Sequence, residues 1–198
     1  MTQTAIADAV RLRGVHHTAR PTWKLRETVE FYRDIMGLPL VHSISARGWG
    51  PADHPDFLHF FFDSGQGSTI AFFYYIGNAQ PEHLKPFDSF LFRAVHTAWR
   101  VETEAELLAW RQRFEDRGVA VRQTRHEIID SIYATDPNGY MVEITWQVRD
   151  MNAIDATDAG FTLEAAMRLE DERRLTDIDT VWQHKAPLVA AHLAGEAA

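Results

Sequence analysis

The phrase Val15-His16-His17-Thr18-Ala19-Arg20 returns near the middle of the chain as Val95-His96-Thr97-Ala98-Trp99-Arg100. A histidine-centred phrase written twice marks a repeated supersecondary unit, and a repeat restricts the fold more than any local propensity does. After the first copy, Leu25, Val29, Phe31, Tyr32, Ile35 and Met36 recur at helical spacing, and Gly37 stands where a helix C-cap belongs. Three runs rich in branched and aromatic residues follow: LPLVHSIS, DFLHFFFD and STIAFFYYIG. The last two are separated by Ser64-Gly65-Gln66-Gly67. After the second copy, Thr103 and Glu106 form a capping-box pattern. Leu107, Leu108, Trp110 and Phe114 then mark the buried face of a helix that stops at Gly118. VAVRQTRH, DSIYATD and YMVEITWQV read as strands, with Asp136-Pro137-Asn138-Gly139 as the turn between the last two.

The order β-α-β-β-β is thus written twice, which predicts an α+β fold. Two βαβββ modules, about 12–78 and 92–148, form a curved mixed sheet around a cleft that would hold the ligand, and together make one domain over 1–148. From 149 to 198 the pattern changes. GFTLEAAMRLEDERRL and IDTVWQHKAPLVAAHL have helical periodicity and no strand signal, so a C-terminal helical extension is expected, with Pro187 at a break or first turn. Packing or dimerisation suits such an appendage better than a lid.

Composition narrows the chemistry. The 198 residues are 45% hydrophobic and 12% aromatic, enough for two small modules sharing a core. Without cysteine, disulfides, thiolate ligands and a Cys nucleophile are all excluded, and a reducing cytoplasm fits. The N-terminal stretch lacks a basic leader and no window holds 18 uninterrupted apolar residues, so neither export nor a membrane is expected. A net charge of -8, with no run of Lys and Arg interleaved with aromatics, argues against nucleic acid.

His17 and His96 occupy equivalent strand positions in the two modules and so face equivalent surfaces. One strand histidine alone is more often a satisfied core residue, but two at matched repeat positions favour a ligand pair. Glu143 lies among Tyr140, Met141, Val142, Ile144 and Trp146, where an unpaired carboxylate is costly unless the strand edge faces water. Two imidazoles and one carboxylate are the donor set of a facial triad, which leaves cis positions open on a six-coordinate ion. Module one has no counterpart to Glu143, because counting four on from its turn glycine gives Ala71. His16 should point away from His17, and His59 reads as a hydrogen-bonded core residue that could also line the pocket.

The paired modules, the HHTA and VHTAW strand starts, the FYRDIMGL helix end and the SIYATDPNGYMVEI tail resemble the vicinal oxygen chelate superfamily over roughly residues 12 to 148. That superfamily includes glyoxalase I, bleomycin-resistance proteins and type I extradiol ring-cleavage dioxygenases. The resemblance implies that His17, His96 and Glu143 hold Fe(II), as in the extradiol enzymes. The glyoxalase pattern has a fourth ligand at the end of module one, where this chain is apolar. It further implies a catalytic role for Tyr133, shortly before the carboxylate ligand, and proton-transfer roles for two histidines, for which His83 and His126 are the candidates. His126 stands closer to Tyr133 than the family spacing has it.

The expected function is an Fe(II)-dependent extradiol-type dioxygenase that brings dioxygen to a small catecholic or hydroquinone-like aromatic, working as a homo-oligomer, most simply a dimer. The abundance of aromatics from Phe57 to Tyr74 fits an aromatic-lined cleft. One rival is a non-oxidative isomerase, epimerase or lyase using Mn(II), Zn(II), Ni(II) or Co(II) as a Lewis acid. The other is a non-catalytic module that sequesters a small molecule. Fold alone does not choose among them.

Overall fold

A computed structural model describes residues 13–49, 54–87 and 89–196. Module one comprises β1 (His17–Pro21), helix α1 (Leu25–Val29) continuing into a π-helical turn over Glu30–Ile35, β2 (Leu40–Ala46), β3 (Phe57–Gly65) and β4 (Ser68–Tyr75). A connection carrying a 3-10 turn (Glu82–Leu84) and the short helix α2 (Phe90–Arg93) leads to module two. There follow β5 (His96–Val101), α3 (Glu104–Asp116), β6 (Arg122–Arg125), β7 (Ile129–Thr135) and β8 (Met141–Gln147). The sheets have matching orders, β1-β4-β3-β2 and β5-β8-β7-β6, and in each only the pair with the first strand is parallel.

The registers make the repeat explicit. Ala19 pairs with Ala71 in module one, and Ala98 pairs with Glu143 in module two. Tyr133 lies opposite Glu143 as Phe61 lies opposite Ala71. The carboxylate therefore occupies the repeat position held by Ala71 in module one, as the sequence count had it.

Alternation sorts each strand onto two faces. Phe60, Phe62, Ile70 and Phe72 from one sheet, and Ile132, Ala134, Val142 and Ile144 from the other, face the helices and form a single core with Phe31, Tyr32, Met36, Leu107 and Phe114. Phe31 stacks on Phe114 with ring centroids 6.4 Å apart, so the helices of the two modules meet directly. Arg113 of α3 donates through Nε to the Ile35 carbonyl at 2.6 Å, satisfying an acceptor at the end of the π turn. That turn closes at Gly37, whose φ of +76° is a left-handed value that glycine adopts without strain. Because the shared core lies on the helix-bearing faces, the other face of each sheet remains open within one chain.

α3 begins with the expected capping box: Thr103 accepts from the Glu106 amide at 3.2 Å, and the Glu106 carboxylate accepts from the Thr103 amide. Thr103→Ala should cost about 1 kcal/mol in urea unfolding, and Thr103→Ser should restore most of it.

From residue 148 the described chain forms a second compact unit. Helices α4 (Ala153–Asp171) and α5 (Ile178–Glu196) bury Ala165, Leu169 and Val181 between them, and Lys185 pairs with Asp158 at 2.6 Å. Pro187 lies inside α5 rather than at a break, which corrects the sequence expectation. A proline there forfeits one i to i−4 bond while the turns on either side keep theirs. Among the described residues no helix is long and apolar enough to cross a membrane.

Candidate metal and substrate site

The open face of module two holds a connected set of polar side chains. β5 and β8 run parallel and in register, so His96, Ala98 and Arg100 share their face with Met141, Glu143 and Thr145. β7 adds Ser131 and Tyr133, and β6 adds Arg122 and Thr124. Glu143 is only 3% exposed. Its Oε2 stands 3.0 Å from His96 Nε2, and its Oε1 accepts from the Tyr133 hydroxyl at 3.2 Å. The Tyr133 oxygen in turn lies 2.8 Å from His126 Nε2. The short spacing is met by a tight link from β6 to β7, in which the His126 amide bonds to the Ile129 carbonyl at 2.8 Å.

The protonation of this set is constrained. His96 Nδ1 lies 3.2 Å from the Arg93 carbonyl, which can only accept, so Nδ1 carries hydrogen in that bond. In the neutral ring the Nε2 lone pair then points at a carboxylate oxygen. Two lone pairs at 3.0 Å repel, so the contact calls for a proton or a metal cation between them. A backbone carbonyl fixing Nδ1–H while Nε2 faces an anionic donor is the usual outer support of a metal-ligating histidine. On this evidence His96 and Glu143 fit a divalent ion. Burial, followed by the Glu143 charge, pushes the Tyr133 phenol above its ordinary value, so Tyr133 keeps its proton at neutral pH and donates.

His17 sits elsewhere. It is exposed on β1, on the open face of module one, with its Nδ1 2.9 Å from His16 Nδ1 and its ring 5.7 Å from Phe61 and 6.3 Å from His59. His16, expected to face away, lies against His17 because it precedes the strand and escapes its alternation. Among the described residues no three His, Asp or Glu side chains gather closely enough to hold a metal within one chain. The expectation that His17, His96 and Glu143 converge inside a single chain is therefore not met. His83 is exposed on the 3-10 turn and joins none of these contacts, since its Pro-flanked connection runs outside the sheet.

The open face of module one is aromatic. Phe57, His59 and Phe61 of β3 and Phe73 and Tyr75 of β4 share it, and Phe73 is stacked between His59 at 3.6 Å and Tyr75 at 5.7 Å. His59 is buried, with Nδ1 3.1 Å from the Phe72 carbonyl, and burial holds its imidazole below its ordinary pKa. It is the hydrogen-bonded residue that the sequence suggested, and its ring lies against Phe73 on this face. Arg122, which sequence reasoning missed, places its guanidinium 5.1 Å from the centre of the Tyr133 ring.

The model of the Glyoxalase/Bleomycin resistance protein/Dioxygenase superfamily matches residues 14–144. No curated protein sequence matches the chain. Several solved structures are similar. A glyoxalase/dioxygenase from Nostoc punctiforme is 19% identical, with 68% of this chain and 91% of that chain covered at a TM-score of 0.51. A glyoxylase/bleomycin resistance protein/dioxygenase domain from Frankia sp. EAN1pec is 20% identical over 69% of this chain and 99% of that one, also at 0.51. A lactoylglutathione lyase from Agrobacterium tumefaciens is 23% identical over 68% and 94%, at 0.49. At these identities the likeness concerns the fold alone.

Proposed function

The chain belongs to the Glyoxalase/Bleomycin resistance protein/Dioxygenase superfamily, and from that premise we propose that it is a metal-dependent extradiol-type dioxygenase whose site is completed by a second copy of the chain. The observation that carries this reading is the buried Glu143 carboxylate facing His96 Nε2 at 3.0 Å, with no third ligand from its own chain among the described residues. A two-fold dimer would set the exposed His17 of the partner subunit against this pair, and by symmetry would build two such sites per dimer. Ligands would be His96, Glu143 and His17, with Fe(II) as the metal.

When bound, Fe(II) supplies Lewis acidity toward the adjacent hydroxyls of an aromatic diol and redox reach to dioxygen. The remaining work falls to the chain. Tyr133, held protonated and donating to Glu143 in the free chain, would turn that one hydrogen to a substrate oxygen bound beside the carboxylate. His126, at hydrogen-bond distance from the Tyr133 oxygen, relays a proton to or from it. In the two-fold arrangement the aromatic face that carries His17 comes from the partner subunit, and it would offer a stacking wall for the ring and keep water from it.

Anaerobic reconstitution with Fe(II), followed by a panel of catechols and hydroquinones scored for oxygen uptake and a yellow ring-opened product, tests the proposal. Tyr133→Phe should retain metal and slow turnover about a hundredfold, the typical cost of one lost donor to developing charge. Metal retention without oxygen uptake across the panel would favour Lewis-acid chemistry with Mn(II), Zn(II), Ni(II) or Co(II). If no divalent ion raises the melting temperature, the sequestering module is the better reading.

A further inference from the structure

Arg122 is exposed on β6, the edge strand of the second sheet. It is the register partner of Tyr133 and lies over that ring, on the same open face as Glu143. Among the described residues it makes no ion pair and no hydrogen bond. Arg100 on the same face, by contrast, is paired with Glu102 at 3.2 Å, and Arg111 on α3 with Glu115 at 2.9 Å. Its counterpart in module one, the partner of Phe61, is His42, whose ring lies 5.7 Å from Phe61. The repeat thus keeps a ring-stacked cationic or polar group at this position but makes it a permanent cation only beside the proposed metal ligands. Tyr133 fixes the guanidinium from one side and leaves its fork of N–H donors uncommitted.

Resting on the dioxygenase reading, we infer that the substrate is an aromatic diol bearing an anionic substituent, a carboxylate in the simplest case, and that Arg122 is the residue that selects it. A planar guanidinium matches a carboxylate with two parallel hydrogen bonds, which a neutral substituent cannot reproduce. The two halves of the site divide the substrate between them: the His59, Phe73 and Tyr75 stack takes the ring, and Arg122 takes the charge. Arg122 is exposed, two strands from Glu143 across Tyr133, and so can meet a charged substituent from solvent.

The test compares a catechol carrying a ring carboxylate with unsubstituted catechol, on wild-type protein and on Arg122→Gln and Arg122→Lys. Equilibrium binding to protein loaded with redox-inert Zn(II) is read beside KM for the Fe(II) enzyme. Wild type should bind the acid at least about tenfold more tightly than the neutral catechol. Arg122→Gln should lose about ten- to a hundredfold for the acid and under about twofold for the neutral compound, the span expected for charged hydrogen bonds. Arg122→Lys should recover part of the preference, and metal content should be unchanged in both variants. Equal weakening of both compounds, no preference in wild type, or binding of neither would overturn the inference. An Arg122-dependent preference in binding without oxygen uptake would instead sink ring cleavage and leave anionic recognition standing.

Discussion

A chain carrying Glu143→Ala and a chain carrying His17→Ala should each lose metal and at least about a thousandfold in turnover when purified alone, and should regain about a quarter of wild-type activity when refolded together in equal amounts. The fraction follows from the two-plus-one arrangement of ligands. Random pairing makes about half of the dimers mixed, and in each mixed dimer one site draws its histidine from the Glu143→Ala chain and its carboxylate from the His17→Ala chain, while the other site receives both defects. Metal content should recover in the same proportion, which separates a rebuilt site from a merely refolded protein. His96→Ala should fail to complement Glu143→Ala, because both lesions strike the same half-site. No recovery from the first mixture would mean that the three groups do not meet across a subunit boundary.

The repeat was legible because a strand of alternating parity carries its register in its sequence. Once Ala19 and Ala98 are matched, Ala71 and Glu143 fall at equivalent places by counting from their turn glycines, and the pairing repeats that count. The Asp136-Pro137-Asn138-Gly139 turn was equally readable, since its bonds from the Asn138 and Tyr140 amides to Asp136 are local. What could not be read was any partnership between elements whose distance is set by packing. Arg122 and Tyr133 sit on neighbouring strands, but nothing in RQTR announces which residue of IDSIYAT it faces. His17 looked like a ligand of the same chain because equivalence of position says that two side chains face the same way, not that they face each other. The shared core decides that, and it turns the helix-bearing faces of the modules together, through Phe31 and Phe114. The place of His83 relative to the second module was hidden for a related reason: it depends on the connection around α2, whose Ser89 cap was too short a signal to separate from loop.

Asp136→Ala should destabilise the protein by about 3 to 5 kcal/mol, because it removes a carboxylate that satisfies several buried donors at once. Oδ1 accepts from the Asn138 and Tyr140 amides, both at 2.8 Å, and Oδ2 accepts from the Tyr32 hydroxyl at 3.0 Å. Tyr32 is fully buried on the helix of module one, so this one residue closes its own turn and ties the modules together. Asn138 reinforces the tie through Thr22 and Thr28, at 2.7 and 2.9 Å. Asp136→Asn keeps the shape and the two amide bonds, so it should cost much less, and it isolates the charge. Desolvation outweighs the donors around Asp136 and raises its carboxyl above its ordinary value of 3.8. A folded-state value above the unfolded one means that the folded chain holds the proton more tightly. The contribution is then most favourable below the unfolded value and is lost as pH rises through the folded one. Wild type should therefore gain stability relative to Asp136→Asn as pH is lowered from 7 toward 4, measured by urea unfolding at a series of pH values. The opposite slope would show that the hydrogen bonds to the carboxylate overcome burial and that the interface prefers its aspartate ionised.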